Sequence, residues 1–591
     1  MAIINGSNGS DVLIGTPQDD TLYGYAGDDT LDGAGGHNIL FGGNGNDTYL
    51  IHSQYDYIFD ESGSDNGIIY VNFYKTNTSV EHWAWAPGVE KLPYWIDALI
   101  PGDAPGYQAL LGPSKTFKYY FATSAPSYFS ADDANGFLPF NASQIAFAKQ
   151  AFAYISSVVD VRYVEASSPD EPNTVVLTNN VQKGSAGYAY YPYENPVGSD
   201  LFLNYRGNSA GNLTPADNTY AALALIHELG HTLGLKHPFI TANSPPEDGP
   251  ALPDDEDATM WSVMSYNIAP AQFHLNYSPL DIAALQYLYG PSHTEQTNDT
   301  YLLSNTTTNM IWDGGGIDMI DGSTQTSAIT LYLEPGYWGS IGQKAKLISA
   351  PGQITVNFGT VIEGAIGGSG DDRLYGNVEN NTLRGGAGND LIEGFAGDDL
   401  LQGDAGFDKV KYEQNKNNYA ISHQITAGMQ TFVVLDRTGV DGRDTLQQVE
   451  RLQFLDVSVG LDIDGAAGQA YRLYQAAFDR TPDLAGLGYW IGEIDHGTTL
   501  SAAASSFLVS TEYASRYGNN PTVEQYLTNL YQNVLHRAPD APGIAYWTTQ
   551  LTNAAQTRAD VLVGFSESNE NQAQVIAKIE NGIDFIPFGA T

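Results

Sequence analysis

A nine-residue period is what most restricts the fold of this chain, because nine residues hold one tight turn, one short strand and little else. From Gly6 the sequence runs GSNGSDVLI, GTPQDDTLY, GYAGDDTLD, GAGGHNILF, GGNGNDTYL; from Gly367 it runs GGSGDDRLY, GNVENNTLR, GGAGNDLIE, GFAGDDLLQ, GDAGFDKVK. The first array aligns Asp11, Asp20, Asp29, Asn38 and Asp47 in one column and Leu13, Leu22, Leu31, Leu40 and Tyr49 in another. The second aligns Asp372, Asn381, Asp390, Asp399 and Asp408, followed by Leu374, Leu383, Ile392, Leu401 and Val410. The glycines permit turns whose carbonyls can face a hard cation, the acidic column supplies anionic oxygens, and the apolar column packs between two walls of strands. A flexible Gly/Asp linker is the plainer reading, but an apolar residue stands two places after the column residue in all ten units. Stacked carboxylates repel one another without a counter-ion, so calcium binding and folding of the arrays are expected to be one event.

Composition agrees with the arrays. Asp and Glu number 68 against 25 Lys and Arg, giving a net charge of −43, and 63 of 591 residues are Gly. That charge argues against nucleic acid or an anionic membrane as the main partner and points to cations. The absence of Cys removes disulfides, thiolate metal sites and thiol nucleophiles. No apolar run approaches the ~18 residues of a membrane span, and MAIINGSNGSDVLIG lacks the basic-then-apolar layout of a cleaved leader.

Three of the eleven histidines fall close together in IHELGHTLGLKHP: His227, His231 and His237. The stretch NTYAALALIHELGHTLG has helical composition, so His227 and His231, four apart, project from one face and can reach a single metal ion. Glu228 lies too far round to chelate with them but can hydrogen-bond a water at the metal. Gly234 lets the chain leave the helix with positive φ and turn back, delivering His237 as a third ligand. By chance, H-E-x-x-H-x-x-G-x-x-H arises in roughly 2 of 100,000 chains of this composition. Incidental core histidines are therefore the weaker reading. Twenty-seven residues after His237 comes SVMSY, residues 262–266, with Met264 at its centre.

The extended histidine motif followed by such a methionine resembles the metzincin signature. The nonapeptides resemble those of repeats-in-toxin proteins, whose known fold is a calcium-binding parallel β-roll. Together they are similar to the serralysins, secreted bacterial zinc endopeptidases. GYAYYP (187–192), DLFLN (200–204), SPLDIAALQYLYG (278–290), IWDGGGIDMID (311–321) and VIEGAIGGSGDD (361–372) add to the resemblance, which covers roughly residues 105–412. It implies zinc held by His227, His231 and His237, Glu228 as general base, and Tyr266 ligating zinc and then stabilising the transition state. It also implies Met264 as an apolar floor under the metal and DLFLN as the edge strand that pairs with a peptide substrate. Calcium positions implied by the family pattern are Asp313, Gly315, Gly316, Asp318, Glu363, Gly368, Gly370 and Asp372. Export by the type I secretion machinery through an uncleaved C-terminal signal is implied as well.

The remaining segments are read from residues alone. Asn141–Gln144 marks a cap for a helix over 141–159. EDGPALPDDEDATM (247–260) reads as a solvated acidic loop, with an extra calcium site as the alternative. Tyr474, Arg480, Pro482, Asp483, Gly486 and Trp490 recur 57 residues later as Tyr531, Arg537, Pro539, Asp540, Gly543 and Trp547, each copy followed by F-x-x-S-x-E. A buried Arg–Asp turn clamp is expected there, in a helical domain of unknown function.

The expected organisation is thus an N-terminal calcium-binding roll (1–50), a linker or pro-segment (51–100), a metzincin protease domain of α+β class (101–290), a second roll (291–412), a strand-rich extension (413–464) and an all-α domain (465–591). The expected function is a secreted, calcium-stabilised zinc endopeptidase acting on proteins or peptides. The alternative is a cell-surface calcium-binding scaffold, or a processing protein acting on the producer's own surface proteins. The N-terminal array can be a tether or a block across the cleft.

Overall fold

Each nonapeptide places its apolar residue at the centre of a strand, as in Thr21-Leu22-Tyr23, where Leu22 is buried and its neighbours are only partly so. The computed structural model describes residues 2–588 except 17, 37, 54–55, 61, 72–73, 75–79, 87–88, 90, 102–110, 112–113, 193–198, 241–249, 295 and 427–428. Successive repeats alternate between two parallel sheets. One contains Ile3–Asn5, Thr21–Ala26, Ile39–Asn44 and Tyr57–Phe59; the other contains Val12–Ile14, Thr30–Asp32, Thr48–Ile51, Asn66–Ile69 and His82–Trp85. Within a sheet, paired residues are therefore two repeats apart, Ile3 facing Thr21 and Thr30 facing Thr48. Leu13, Leu22, Leu31, Leu40 and Tyr49 line up as a dry core between the sheets. The stretch 51–100, read from sequence as a link, carries three further strands of this coil, and its last residues belong to the next core. Leu92, Trp95, Ile96 and Leu99 pack with the central region.

The central region is a five-stranded sheet backed by helices. Its strand order is Arg162–Glu165, Thr116–Phe121, Thr174–Asn180, Leu201–Asn204 and Gly187–Ala189. The first four strands are parallel and the last runs antiparallel. The expected capping box is present on the helix Ala142–Val158: the Asn141 side chain accepts from the N–H of Gln144 at 3.1 Å, and the Gln144 side chain accepts from the N–H of Asn141 at 3.1 Å. Helices Tyr220–Thr232 and Pro279–Tyr289 complete the layer.

The second array is enclosed by an eight-stranded and a ten-stranded sheet with one shared core. After Lys409–Lys411 a hairpin, Tyr419–Thr426 with Met429–Asp436, interrupts the period, and the coil then resumes. Leu400 faces Thr445, and Lys409 faces Arg451. Eight helices follow, from Ala466–Phe478 to Asn569–Ile579. The chain then returns as the strand Ile583–Phe585, which pairs antiparallel with Ser458–Gly460. Among the described residues no helix is long and apolar enough to cross a membrane.

In both helical repeats the Arg clamp differs from expectation. Arg480 forks onto Glu512 at 2.6 and 3.1 Å, and Arg537 onto Glu570 at 2.7 and 3.1 Å. Asp483 and Asp540 cap their helices, accepting from Gly486 N at 2.7 Å and Gly543 N at 2.8 Å, and also pair with their Arg at 3.4 and 3.0 Å, so the expected Arg–Asp clamp is present but shared with Glu and not buried. The Arg side chains keep 36% and 39% exposure, because their carboxylate partners come from a surface turn of the following helix pair. Gly543 is required by packing, since a Cβ there would run into the Tyr531 hydroxyl, whereas a Cβ on Gly492 meets open space. Gly543→Ala is expected to destabilise the helical region by about 1–3 kcal/mol, and Gly492→Ala to leave it unchanged or slightly firmer. Denaturation followed by helical circular dichroism checks both.

Candidate functional site

The buried helix Tyr220–Thr232 carries His227, Glu228 and His231. It ends in a turn at Leu233, and Gly234, with φ +98°, sends the chain back so that His237 meets the other two imidazoles. His237 Nε2 lies 3.2 Å from both His227 Nε2 and His231 Nε2. His227 Nδ1 is 2.9 Å from Val263 O, and His231 Nδ1 is 2.7 Å from Leu235 O. A carbonyl can only accept, so both Nδ1 atoms carry the proton and both Nε2 atoms present lone pairs. A single proton on His237 Nε2 could satisfy one of them and would leave the other facing it unpaired. Burial holds all three imidazoles neutral, pushing His237 down to about 4 and His231 well below the ordinary value. Three neutral imidazoles converging through Nε2, two of them oriented by carbonyls behind, is a donor set that fits zinc.

Glu228 is buried beside them, and one of its carboxylate oxygens has no hydrogen-bond partner among the described residues. Burial pushes its carboxyl up to about 8; a divalent cation at the imidazoles would draw it back down. Gly187, on the antiparallel strand, makes room for it, since a Cβ there would sit 2.8 Å from Glu228 Oε1. Met264 is fully buried with its sulfur against Gly230; a Cβ at Gly230 would lie 2.6 Å from it. The methionine thus packs against the helix at Gly230, which lies between the two histidines in sequence. The Tyr266 ring lies 4.7 Å from that of His237 and 5.8 Å from that of His227, and the residue is largely exposed. Phe239 stacks flat on His237, and its ring also lies 4.9 Å from that of Tyr266.

Several supporting residues went unread in the sequence. Asp281, in the first turn of Pro279–Tyr289, accepts from Ser262 Oγ at 2.6 Å, Val263 N at 2.7 Å and Ser278 N at 3.0 Å. Because Val263 O is the acceptor for His227, this one carboxylate orients a candidate ligand through a single intervening residue. Lys236 donates its backbone N–H to Leu99 O at 2.8 Å and its ammonium to Ala98 O at 2.7 Å. Residues 98–99 are therefore clamped under the turn that delivers His237. The acidic loop is not wholly solvated either: Glu256 is buried, accepting from Tyr94 OH at 2.8 Å and Ser349 N at 3.0 Å. Residues 247–249 of that loop lie outside the described residues.

DLFLN is corrected by the structure. Leu201–Asn204 has hydrogen-bonded neighbours on both sides and is buried throughout, so it cannot accept a further strand. The edge is Gly187–Ala189, which lies against the helix of His227 and Glu228.

The acidic columns form a ladder. The N–H of a column residue donates to the side-chain oxygen of the residue two repeats on, an amide at Asn38 and a carboxylate elsewhere: Asp20 to Asn38 at 2.9 Å, Asp11 to Asp29 at 2.8 Å, Asp29 to Asp47 at 2.7 Å, Asp372 to Asp390 at 2.8 Å and Asp390 to Asp408 at 2.8 Å. That occupies Oδ1. The Oδ2 atoms of Asp29, Asp47, Asp318, Asp390, Asp399 and Asp408 are buried without a hydrogen-bond partner among the described residues, which fits a hard cation between the turns. Asp11 and Asp20 differ, because Ser7 and Thr16 donate to their Oδ2 atoms. The ladder also runs past the legible repeats: Asp399 N donates to Asp444 at 3.1 Å, and Asp408 N to Glu450 at 2.8 Å, across the inserted hairpin. At the start of the second coil Asp313 and Asp318 converge with Asp299, which the sequence pattern missed. Gly315 and Gly316 take φ +133° and +150°, and Asp318 N donates to Glu363 at 2.7 Å. Asp372 accepts from Gly368 N at 2.5 Å, while Gly370 packs on the Ala328 backbone.

Comparison with known proteins fits this geometry. The RTX calcium-binding nonapeptide repeat family matches residues 5–40, 15–49, 365–382 and 375–410, and residues 504–575 match a domain of unknown function, DUF4214. Serralysin G of Dickeya chrysanthemi is 32% identical over 306 residues, 47% of this chain and 62% of that protein. Metalloprotease AprA of Pseudomonas entomophila is 33% identical over 45% of this chain and 60% of its own length. Metallopeptidase AprA of Pseudomonas marginalis is 34% identical over 48% and 64%. The chain is a homologue of these serralysin and AprA metalloproteases over a little under half its length, and spans about three fifths of the length of these curated relatives.

Two predictions follow from the site. Asp281→Asn keeps an acceptor for two backbone N–H groups and is expected to be tolerated, whereas Asp281→Leu leaves the Val263 turn unheld and is expected to lower bound zinc at least tenfold; metal analysis of the purified variants checks this. Burial, reinforced by neighbouring carboxylates, pushes Asp390 and Asp399 up to about 7 and Asp408 to about 6. Each raised carboxyl contributes stability that is complete below an unfolded value of about 4 and lost as pH rises through 6–7. With calcium chelated by EGTA, the thermal midpoint is therefore expected to fall between pH 5 and pH 8. Millimolar calcium should abolish that fall, and a rising midpoint without calcium would contradict it.

Proposed function

We propose that this chain is a secreted zinc metalloendopeptidase stabilised by calcium. The single observation that carries the reading is the convergence of His227, His231 and His237 through lone-pair-bearing Nε2 atoms beside a buried Glu228 with an unsatisfied oxygen. The relatives' names, and their identity over the matched stretch, support the same chemistry. The calcium-binding type of the repeats supports folding outside the cell, where calcium is abundant.

What a zinc ion supplies at such a site is polarisation of a carbonyl and acidification of water. Every other role falls to the chain. Glu228 takes a proton from water and returns it to the leaving amine nitrogen, its walled-in position keeping bulk solvent away. The Tyr266 hydroxyl donates to the developing oxyanion from the open side of the imidazole cluster. A substrate peptide adds as an extended strand to the free edge of Gly187–Ala189, which brings a carbonyl over Glu228. Met264 sets the height of the helix, and Asp281 and Lys236 hold the turns that carry the ligands. The docking of residues 92–100 in the central core favours the N-terminal coil as a tether joined to the enzyme and not as a block across its cleft.

Glu228→Ala is expected to lose at least a thousandfold in casein hydrolysis while still binding one zinc per chain. Zymography beside metal analysis checks this, and substantial hydrolysis by the variant would remove Glu228 from the mechanism.

A further inference from the structure

Two departures from the nonapeptide pattern meet in the N-terminal coil. Tyr49 stands in the apolar column where the earlier units have Leu, and Asp60 stands eighteen residues after Gly42, in the column of Gly6, Gly15, Gly24 and Gly33. In the fold the Tyr49 hydroxyl donates to Asp60 Oδ1 at 2.6 Å. The space around Gly42 is where they converge: a Cβ there would land against the Tyr49 hydroxyl, Asp47 Oδ2 and Asp60 Oδ1. One carboxylate oxygen from each of Asp47, Asp60 and Asp65 lies within 4.8 Å of the others. Asp47 and Asp65 are fully buried, and their Oδ2 atoms have no hydrogen-bond partner among the described residues. Their Oδ1 atoms are taken by the backbone ladder, from Asp29 N and Asp47 N, each at 2.7 Å. No ion pair reaches any of the three carboxylates among the described residues.

We propose that Asp47, Asp60 and Asp65 form a calcium site of a different kind from those between ordinary repeats, with a third carboxylate in the place of a glycine and with Tyr49 holding that carboxylate in position. Oxygen-only ligands of high charge select a hard divalent cation. The third carboxylate makes this the tightest site of the N-terminal coil, so the coil's last turns order first and the earlier repeats, where Ser7 and Thr16 already satisfy Asp11 and Asp20, add to them. The inference rests on the calcium-stabilised reading above.

Hydrogen exchange by mass spectrometry on the full chain, across a series of free calcium concentrations, separates the two. In the wild type, peptides covering 42–51 and 57–69 are expected to become protected at lower calcium than peptides covering 2–14. Asp60→Asn, which keeps an acceptor for Tyr49, should move protection of 42–69 to at least tenfold higher calcium; Asp60→Gly, which restores the repeat pattern, should do the same. Peptides covering 382–405 should respond to calcium identically in all three proteins. Unshifted 42–69 protection in both variants overturns the site, whereas calcium-independent protection at 382–405 overturns the broader reading instead.

Discussion

Both coils depend on one hydrogen bond, repeated: a backbone N–H donating to a side-chain oxygen, most often a carboxylate, two nonapeptides further along. It fixes the rotamer of each column Asp, spends one oxygen on the backbone, and leaves the other aimed at the interior of the turn, as at Asp29, Asp390 and Asp408. The carboxylate is therefore both a structural link between coils and half of a cation site. Without a cation such a site would hold a buried charge and not merely an empty space, which is the physical reason to expect folding and calcium binding to be coupled.

The central site uses the same economy of peptides. Asp281 holds Val263 N, Val263 O holds His227 Nδ1, and His227 Nε2 points to its two partners. On the other flank Leu99 O and Ala98 O hold Lys236, one residue before His237. His227 and the turn that carries His237 are thus positioned by segments distant in sequence, the latter by residues N-terminal to the sheet, whereas His231 is held locally by Leu235 O.

Much of this was legible. The nine-residue period foretold short strands with Leu22, Leu31 and Leu40 inside, the resemblance to repeats-in-toxin proteins implied that they run parallel, and the spacing of His227, His231, Gly234 and His237 foretold their convergence. What could not be read had physical reasons. A run such as DLFLN signals burial on both faces as strongly as it signals an edge, and the structure chose burial. Asp444 and Glu450 continue the ladder only after a hairpin has broken the period, so no register in the sequence reaches them. Tyr49 and Asp60 look like decay of the repeat until the fold sets one against the other. Arg480 and Arg537 do pair with the nearest acid in sequence, but the fork onto Glu512 and Glu570, a helix pair away, has no local signal.

The strand Ile583–Phe585 gives the helical region an unusual mechanical position. Because that strand pairs beside Ser458–Gly460, the eight helices hang as a loop between two neighbours of one sheet. Tension entering the chain beyond Phe585 is carried by the strand pair straight into the sheet, and the helices stay slack until that pairing is torn. Anything held by those helices would be spared the load that the coil bears.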